Sequence, residues 1–249
     1  MKTFTVLTNV FNEEYLLPFW LEHHRKIFDH GIVIDYRSTD SSMDIVRKMC
    51  PTWEIRTTRN SHFDAHDIDT EFMDIEQGLD GYKMVLNTTE FLIAPGDIRS
   101  LVMDDMNKAY AIQCLTACSA RDNIYPATLS DFFNGIERVE TKRRSIRLLH
   151  SYPDGQYSVG RHVPHLPLAT SIPAYVVWFG FYPWNNLLLA RKLQIKNNIP
   201  ERDRQAGFGY HHFWGIEEQS NQRNLYASES VALTDVPALP DCIKRATEN

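Results

Sequence analysis

Two polar clusters in the sequence have residue types and spacings that could do chemistry. The first, residues 35–41 (DYRSTDS), follows the apolar run at residues 32–34. A carboxylate such as Asp35 at the end of a strand can accept hydrogen bonds from a ribose or from the edge of a base. Ser, Thr and Asp at this spacing are also the residues that cap a following helix. Both interpretations, a ligand contact and a helix cap alone, stay open at this point.

The second cluster, residues 200–213 (PERDRQAGFGYHHF), contains two arginines, two acids, two glycines and two histidines. Guanidinium groups such as those of Arg202 and Arg204 form paired hydrogen bonds with phosphate oxygens. If the cluster opens a helix, the free amide groups of the first turn add further donors for an anion. The cluster is therefore a candidate phosphate site. The alternative is a surface loop with an incidental histidine pair.

The elements that must position these clusters alternate between strand and helix patterns over the first 95 residues. Apolar runs predict strands at residues 4–8, 32–34, 53–57 and 83–87, the last continuing through residues 90–93. Helices are predicted at residues 13–28, after residue 41, and around Ile68, Phe72, Ile75 and Leu79, which recur at helical spacing. This order predicts a doubly wound sheet with right-handed crossovers, whose ligands bind at the carboxyl ends of the strands.

The second half of the chain is less regular, with strands predicted at residues 110–117 and 146–150 and a helix at 186–197. Residues 166–189 contain no charged side chain and carry a group of aromatic residues at their centre. Three prolines in this segment argue against a membrane-spanning helix. Two interpretations remain: a core segment or acceptor-pocket wall, and shallow peripheral contact with a membrane surface.

The composition limits the classes of function. A chain of 249 residues is most simply one α/β domain. The net charge of −6 argues against a nucleic-acid partner, which requires a basic surface. The four cysteines lack metal-ligand spacing and are predicted to be buried free thiols. The first residues lack the apolar segment of a signal peptide, so we expect a cytoplasmic protein, with the inner face of a membrane as the alternative location.

The beginning of the chain resembles a known family. Residues 8–14 (TNVFNEE) lead into an aromatic-rich helix with Trp20, His23 and His24, and residues 33–41 (VIDYRSTDS) follow as a second signature. Over residues 3–97 the sequence is similar to family-two-like GT-A glycosyltransferases. The resemblance implies a single GT-A-like α/β domain over residues 1–249, with a doubly wound, mostly parallel sheet flanked by helices. Residues 1–97 are then the nucleotide-binding half, and residues 98–249 the acceptor-binding half with a C-terminal tail.

The same resemblance implies roles for individual residues. Thr8 and Asp35 are expected to line a nucleoside pocket, with Asp35 facing the base, and Asp40 is expected to support the loop. These enzymes often place a late glycine and histidine near the donor phosphates, and residues 207–212 resemble that segment. The residues expected to bind the nucleotide-sugar donor are Thr8, Asn12, Glu13, Asp35, Ser38, Asp40, Lys83, Asn87, Thr89, Glu90, Arg202, Arg204, His211 and His212.

The sequence departs from the family at its metal-binding motif. These enzymes carry an Asp-x-Asp after the fourth strand, whose carboxylates hold a divalent cation on the diphosphate, but here Asn87 and Thr89 replace both aspartates. Neutral oxygens are weak ligands for Mg²⁺ or Mn²⁺. Glu90 and His211 are the candidate metal ligands, and Asp97 lies near enough in sequence to substitute. The alternative is a diphosphate whose charge is met by cations and amide groups without a metal.

An inverting sugar transfer needs a general base for the acceptor's proton. Asp203 is favoured for this role, with Glu201 and Asp122 as alternatives. The resemblance thus implies transfer from a UDP-, GDP- or dTDP-sugar to a glycan or lipid-linked acceptor in surface-glycan synthesis. One rival is a catalytically inactive GT-A-like protein that binds a nucleotide or glycan. A nucleotidyltransferase is disfavoured because residues 9–14 contain no glycine.

Overall fold

The computed structural model describes residues 2–103, 105–142 and 145–248. Within these ranges, ten strands form one mixed sheet. The strands are β1 (Phe4–Val10), β2 (His30–Asp35), β3 (Glu54–Thr57), β4 (Tyr82–Val85), β5 (Glu90–Ile93), β6 (Ala109–Cys118), β7 (Arg138–Glu140), β8 (Ile146–His150), β9 (Tyr175–Trp178) and β10 (Val231–Ala232).

The helices are of very different lengths, and the shortest have four or five residues. They are α1 (Leu17–His24), α2 (Ser42–Met49), α3 (Ala65–Glu76), α4 (Ile98–Leu101), α5 (Leu129–Asn134), α6 (Asn186–Gln194), α7 (Glu201–Gln205), α8 (Ile216–Glu229) and α9 (Leu239–Glu248). Short 3₁₀ turns lie at Val159–Arg161, Ile195–Asn198 and Tyr210–Phe213, and a fourth at Leu233–Asp235. Within the described ranges, no helix has both the length and the apolar character needed to cross a bilayer.

The first four strands form the parallel part of the sheet, in the order β4-β1-β2-β3. Side chains alternate between the faces of a strand, so β1 contributes Leu7 to the apolar layer that contains Phe72 of α3, and Val6 to the main core. All four strands run in the same direction, and their carboxyl ends therefore meet at one edge. We call this the carboxyl edge; the predicted α/β class with a central sheet and flanking helices is confirmed.

The second half adds mainly antiparallel strands to this sheet, with one parallel pairing between β6 and β9. β8 pairs with both β4 and β6, and β7 and β10 follow beyond β6. β5 does not continue β4 as one strand, because the chain turns at residues 86–89 and β5 pairs with β9 instead. The segment Asn87-Thr88-Thr89 consequently lies in a turn between two strands, where the Glu90 amide donates to the Asn87 carbonyl at 2.8 Å.

The aromatic centre of residues 166–189 belongs to the core. Phe179 stacks on Phe132 of α5 with their ring centroids 4.3 Å apart, and the side chains of Phe181, Tyr182 and Trp184 are buried. The core interpretation of these residues therefore holds. All four cysteine side chains are buried and free, as their spacing predicts.

Candidate functional site

The loops that follow β1 and β2 are held to each other at the carboxyl edge. Asp35 accepts a hydrogen bond from the amide of Ser38 at 2.8 Å, and the Ser38 hydroxyl accepts one from the amide of Asn12 at 3.1 Å. The Asn12 side chain in turn accepts from the amide of Thr39 at 2.8 Å. Asn12 and Arg37 have φ angles of 53° and 63°, which non-glycine residues seldom adopt. Such conformations often mark functional loops.

Asp40 contacts both of these loops. Its carboxylate accepts from the amide of Glu14 at 3.1 Å and from the amide of Ser42 at 3.0 Å. The Ser42 hydroxyl accepts from the amide of Glu13 at 2.8 Å. The cluster therefore acts as more than a helix cap, because its polar groups fix the preceding loop as well as the start of α2.

The end of β1 presents polar atoms that lack protein partners. Thr8 is fully buried, and neither its hydroxyl oxygen nor the buried side-chain oxygen of Asn9 has a hydrogen-bond partner among the described residues. Buried polar atoms are nearly always satisfied by protein, water or ligand. Both oxygens lie near the joined loops and are shielded from solvent.

The turn at residues 87–90, where the resemblance places a metal motif, is contacted by three arginines from distant parts of the chain. Arg147 of β8 pairs with Glu90 through Nε at 2.8 Å and through Nη2. Nη2 of Arg161 donates to the Asn87 side chain at 2.8 Å. Nη2 of Arg191 lies 3.5 Å from the Thr88 hydroxyl. The remaining residue of the turn, Thr89, is buried, and its carbonyl accepts a hydrogen bond from the Phe179 amide at 2.8 Å.

Each of these arginines is also paired with a carboxylate. Arg161 contacts Asp69 of α3, and Arg191 of α6 contacts Glu13 with one nitrogen–oxygen distance of 2.6 Å. The Arg147–Glu90 pair is almost completely buried, at 2 % and 1 % side-chain exposure. Burial raises the pKa of Glu90, but the charge and hydrogen bonds of Arg147 outweigh burial and leave the pKa below its usual value.

The segment from α6 to the Tyr210–Phe213 turn lies against the carboxyl edge. Gln194 donates to the carbonyl of Asn12 at 2.8 Å, and the carbonyl of Asn198 accepts from the amide of Phe63 at 2.9 Å. Together with the Arg191–Glu13 pair, these contacts join the last quarter of the chain to the loops after β1 and β3. The site is therefore built from both halves of the chain.

The predicted phosphate loop at residues 200–213 packs on the first turn of α3. Arg202 pairs with Asp64 and with Asp67, the second contact at 3.0 Å. The carboxylate of Asp203 is buried and accepts from the amide of Ala65 at 2.7 Å. Burial raises the pKa of Asp203, whereas hydrogen bonding from Arg202 lowers the pKa of Asp64 to about 2. Asp203 thus attaches α7 to α3.

The other predicted residues of this loop are more open. Glu201 is exposed and accepts from Gln205 at 3.2 Å, while the guanidinium of Arg204 lies over the Phe213 ring at 5.2 Å. The rings of His211 and His212 are 4.1 Å apart. Burial, with the positive charges of His211, Arg191 and Lys192, lowers the pKa of His212 to about 3. The His212 imidazole is therefore neutral at pH 7 and lies close to Arg191.

The residues present do not fit a divalent cation at the predicted position. The described ranges contain no group of three or more His, Cys, Asp or Glu side chains arranged to hold a metal ion. The Glu90 carboxylate is occupied by Arg147 and by the amide of Asn87 at 2.9 Å. Asp97 instead caps α4 by accepting from the amide of Arg99 at 3.0 Å.

Asp97 lines a different cavity, of about 430 Å³, between α1, the end of β5 and α9. Lys83, another predicted donor ligand, also lies away from the joined loops. Its ammonium group donates to the carbonyls of Leu79 at 3.1 Å and Pro153 at 3.3 Å, beyond the carboxyl-terminal end of α3. The amino-terminal end of α3 is the end that reaches the carboxyl edge, so the structure does not bring Lys83 to the site.

Sequence reasoning did not identify Arg147, Arg161 and Arg191 as site residues. Arg147 and Arg161 lie 57 and 74 residues from their partners in the turn. Arg191 lies 178 residues from its partner Glu13, in the loop after β1. No local pattern relates such distant positions. The glycine before Arg161 is a local signal of an unusual backbone, and both Gly160 and Arg161 have positive φ angles, of 80° and 59°.

Comparison with known proteins gives no family assignment. No family model matches the chain, and no curated protein matches it. Among solved structures, it is similar to glucosyl-3-phosphoglycerate synthase from Mycobacterium tuberculosis in complex with Mn²⁺, UDP and glucosyl-3-phosphoglycerate, with 14 % identity and a TM-score of 0.33. That match covers 46 % of this chain and 44 % of the synthase, so it spans less than half of either protein.

Two further similarities extend over more of the chain. TarS 1-349 from S. aureus matches with 13 % identity and a TM-score of 0.40, over 99 % of this chain and 82 % of that one. 4-Diphosphocytidyl-2C-methyl-D-erythritol synthase matches with 10 % identity and a TM-score of 0.34, over 90 % of this chain and 97 % of that one. At these scores the fold assignment rests on the strand order and pairing of this chain.

Proposed function

We propose that this protein transfers a sugar from a nucleoside diphosphate sugar to a hydroxyl group of a glycan or lipid-linked acceptor. The observation that carries the proposal is the pair of joined loops at the carboxyl edge, with Asp35 at the end of β2 and partnerless polar atoms at the end of β1. Ligands of open α/β sheets bind at this edge. The resemblance of residues 3–97 to GT-A glycosyltransferases supports the same location.

In this proposal the nucleoside lies against Thr8 and Asp35, in a pocket shaped by Asn12, Ser38 and Asp40. The acceptor oxygen attacks the anomeric carbon of the sugar, while the bond from that carbon to the diphosphate oxygen breaks. The nucleoside diphosphate leaves with the electron pair, and the acceptor's proton goes to a carboxylate. Attack from the face opposite the leaving group inverts the anomeric centre.

The carboxylate that accepts the proton is proposed to lie in α7. Asp203 has a pKa raised by burial, a property that favours a general base, but its hydrogen bond from Ala65 must yield if it is to reach an acceptor. Glu201 is exposed and is the second candidate. An Asp203→Asn variant that folds and retains turnover assigns the role to Glu201 or to another group.

The experiment that tests the proposal is thermal stability measured with UDP, GDP, dTDP and CDP. A ligand at a hundred times its dissociation constant adds about 2.7 kcal/mol of stability. For a chain of this length each kcal/mol raises the melting temperature by roughly 2–4 °C. We expect one nucleotide to give such a shift and Asp35→Ala to remove it. Asp44→Ala, in the exposed face of α2, is the matched control and should leave the shift unchanged.

The second candidate function is a catalytically inactive nucleotide- or glycan-binding protein. The loss of both motif aspartates at Asn87 and Thr89 favours it. Turnover of the sugar form of the stabilising nucleotide, including slow hydrolysis, separates the two functions. Hydrolysis that disappears in Asp35→Ala supports the enzyme; binding without any turnover of donor supports the inactive protein.

A further inference from the structure

The turn at residues 87–90 uses its own side-chain oxygens for arginine contacts. The Asn87 oxygen accepts from Arg161, and both Glu90 oxygens accept from Arg147. The Thr88 hydroxyl lies at hydrogen-bond distance from Arg191. The oxygens that a divalent cation needs as ligands are therefore occupied by positively charged donors.

Binding a divalent cation here would require two unfavourable changes. Glu90 would have to leave Arg147, whose guanidinium would then be buried without its partner, and breaking a buried pair in this way is strongly destabilising. Asp69 and Glu13 are likewise paired with Arg161 and Arg191, so a cation would have to take a carboxylate away from one of these arginines. The turn therefore offers guanidinium N–H donors rather than ligands for a positive ion.

The three arginines differ in how freely they can contact a ligand. Arg147 has only 2 % side-chain exposure and both of its terminal nitrogens are bonded. Arg161 is also buried, but its Nε has no hydrogen-bond partner among the described residues. Arg191 is the most exposed, at 19 %, and it joins Glu13 of the first loop to Thr88 of the turn.

We infer that the diphosphate of the donor is bound by Arg191 without a divalent cation, beside the turn that Arg147 and Arg161 hold in place. This inference rests on the proposed function. The Arg191 guanidinium keeps its pair with Glu13 through Nε and Nη2 and donates to the diphosphate oxygens through Nη1. Arg161 contributes to the site by holding the side chain of Asn87.

The test is the dissociation constant of the stabilising nucleotide, measured by calorimetry in EDTA and in Mn²⁺. We expect the two values to agree within about twofold in the native protein. Loss of one charged hydrogen bond weakens binding by roughly 10- to 100-fold, and we expect this in Arg191→Gln. Arg47→Gln, on the exposed face of α2, should bind as the native protein does.

The outcomes separate the two proposals. Binding that requires Mn²⁺ overturns this inference and leaves the proposed function intact. If none of the four nucleotides binds in either condition, both are overturned. Because Arg191→Gln leaves Glu13 without its partner, the double variant Glu13→Gln/Arg191→Gln is measured as well, with melting curves to verify folding. Tight binding by that double variant overturns the role of Arg191.

Discussion

Glu90 shows how a candidate ligand can instead belong to the core. It follows the turn residues Asn87, Thr88 and Thr89, and its carboxylate is paired with Arg147 in the core. The sequence could indicate that Glu90 lies near the end of β4. It could not indicate the pair, because Arg147 is 57 residues away on a strand that joins the sheet from the second half.

At the residue scale we predict that Glu90→Ala strongly destabilises the fold. It leaves Arg147 as a buried, unpaired cation, and removing one partner of a buried pair costs about 3–5 kcal/mol. The matched control is Glu54→Ala, which removes the partner of Arg56 in a largely exposed pair. That change should cost at most about 1 kcal/mol. Urea unfolding of both variants measures the difference; equal costs would show that the buried pair contributes little.

Protonation of buried histidines gives a second residue-scale prediction. Burial lowers the pKa of His23 to about 4 and places the pKa of His24 well below its ordinary value. Both rings are neutral and hydrogen-bonded, His23 to the Leu92 carbonyl at 2.6 Å and His24 to the Trp20 carbonyl at 2.9 Å. A depressed pKa in the folded state means that acid favours the unfolded chain, which binds protons first.

We therefore expect the free energy of unfolding to be highest above pH 6.5 and to fall between pH 6.5 and about 4. Denaturant unfolding at pH 7.5, 6, 5 and 4.5 measures this slope. The variant His23→Gln should show a shallower slope over the same range. Glu90 contributes only at the acid end of this window, because its stabilisation is fully present above its ordinary pKa of 4.5 and is lost as the pH falls below that value.

At the element scale, the start of α3 connects the helix to the candidate site. Asp64 caps the helix by accepting from the amides of His66 at 3.1 Å and Asp67 at 2.9 Å, and it also pairs with Arg202 of α7. The sequence predicted α3 from its apolar spacing, a local property. The contact with α7 could not be predicted, because it joins positions 138 residues apart.

We predict that Asp64→Ala costs about 1 kcal/mol through the lost cap and additionally loosens α7. Limited proteolysis should then cleave between residues 198 and 213 more rapidly than in the native protein. Asp97→Ala is the control, since it removes the cap of the four-residue α4 without a contact to α7. Faster cleavage of the same segment in both variants would contradict a specific link between Asp64 and α7.

At the scale of the whole molecule, local periodicity predicted the first four strands and their alternation with helices, but not their order in the sheet. Apolar runs such as Ile32-Val33-Ile34 are buried on both faces, and short loops restrict how they can connect. The second half depends on pairings that no periodicity reveals. β5 separates from β4 and joins β9, although the sequence reads as one continuous strand, because the chain turns at residues 86–89.

The contact between Arg191 and Glu13 also has a consequence in time. At a synthesis rate of about 5–20 residues per second, the 178 residues that separate them take roughly 9–36 s to produce. During that interval the parallel strands and the joined loops of the first half can form on the ribosome, while Glu13 still lacks its guanidinium partner. The carboxyl edge is thus completed only when α6 leaves the exit tunnel and reaches the first loop.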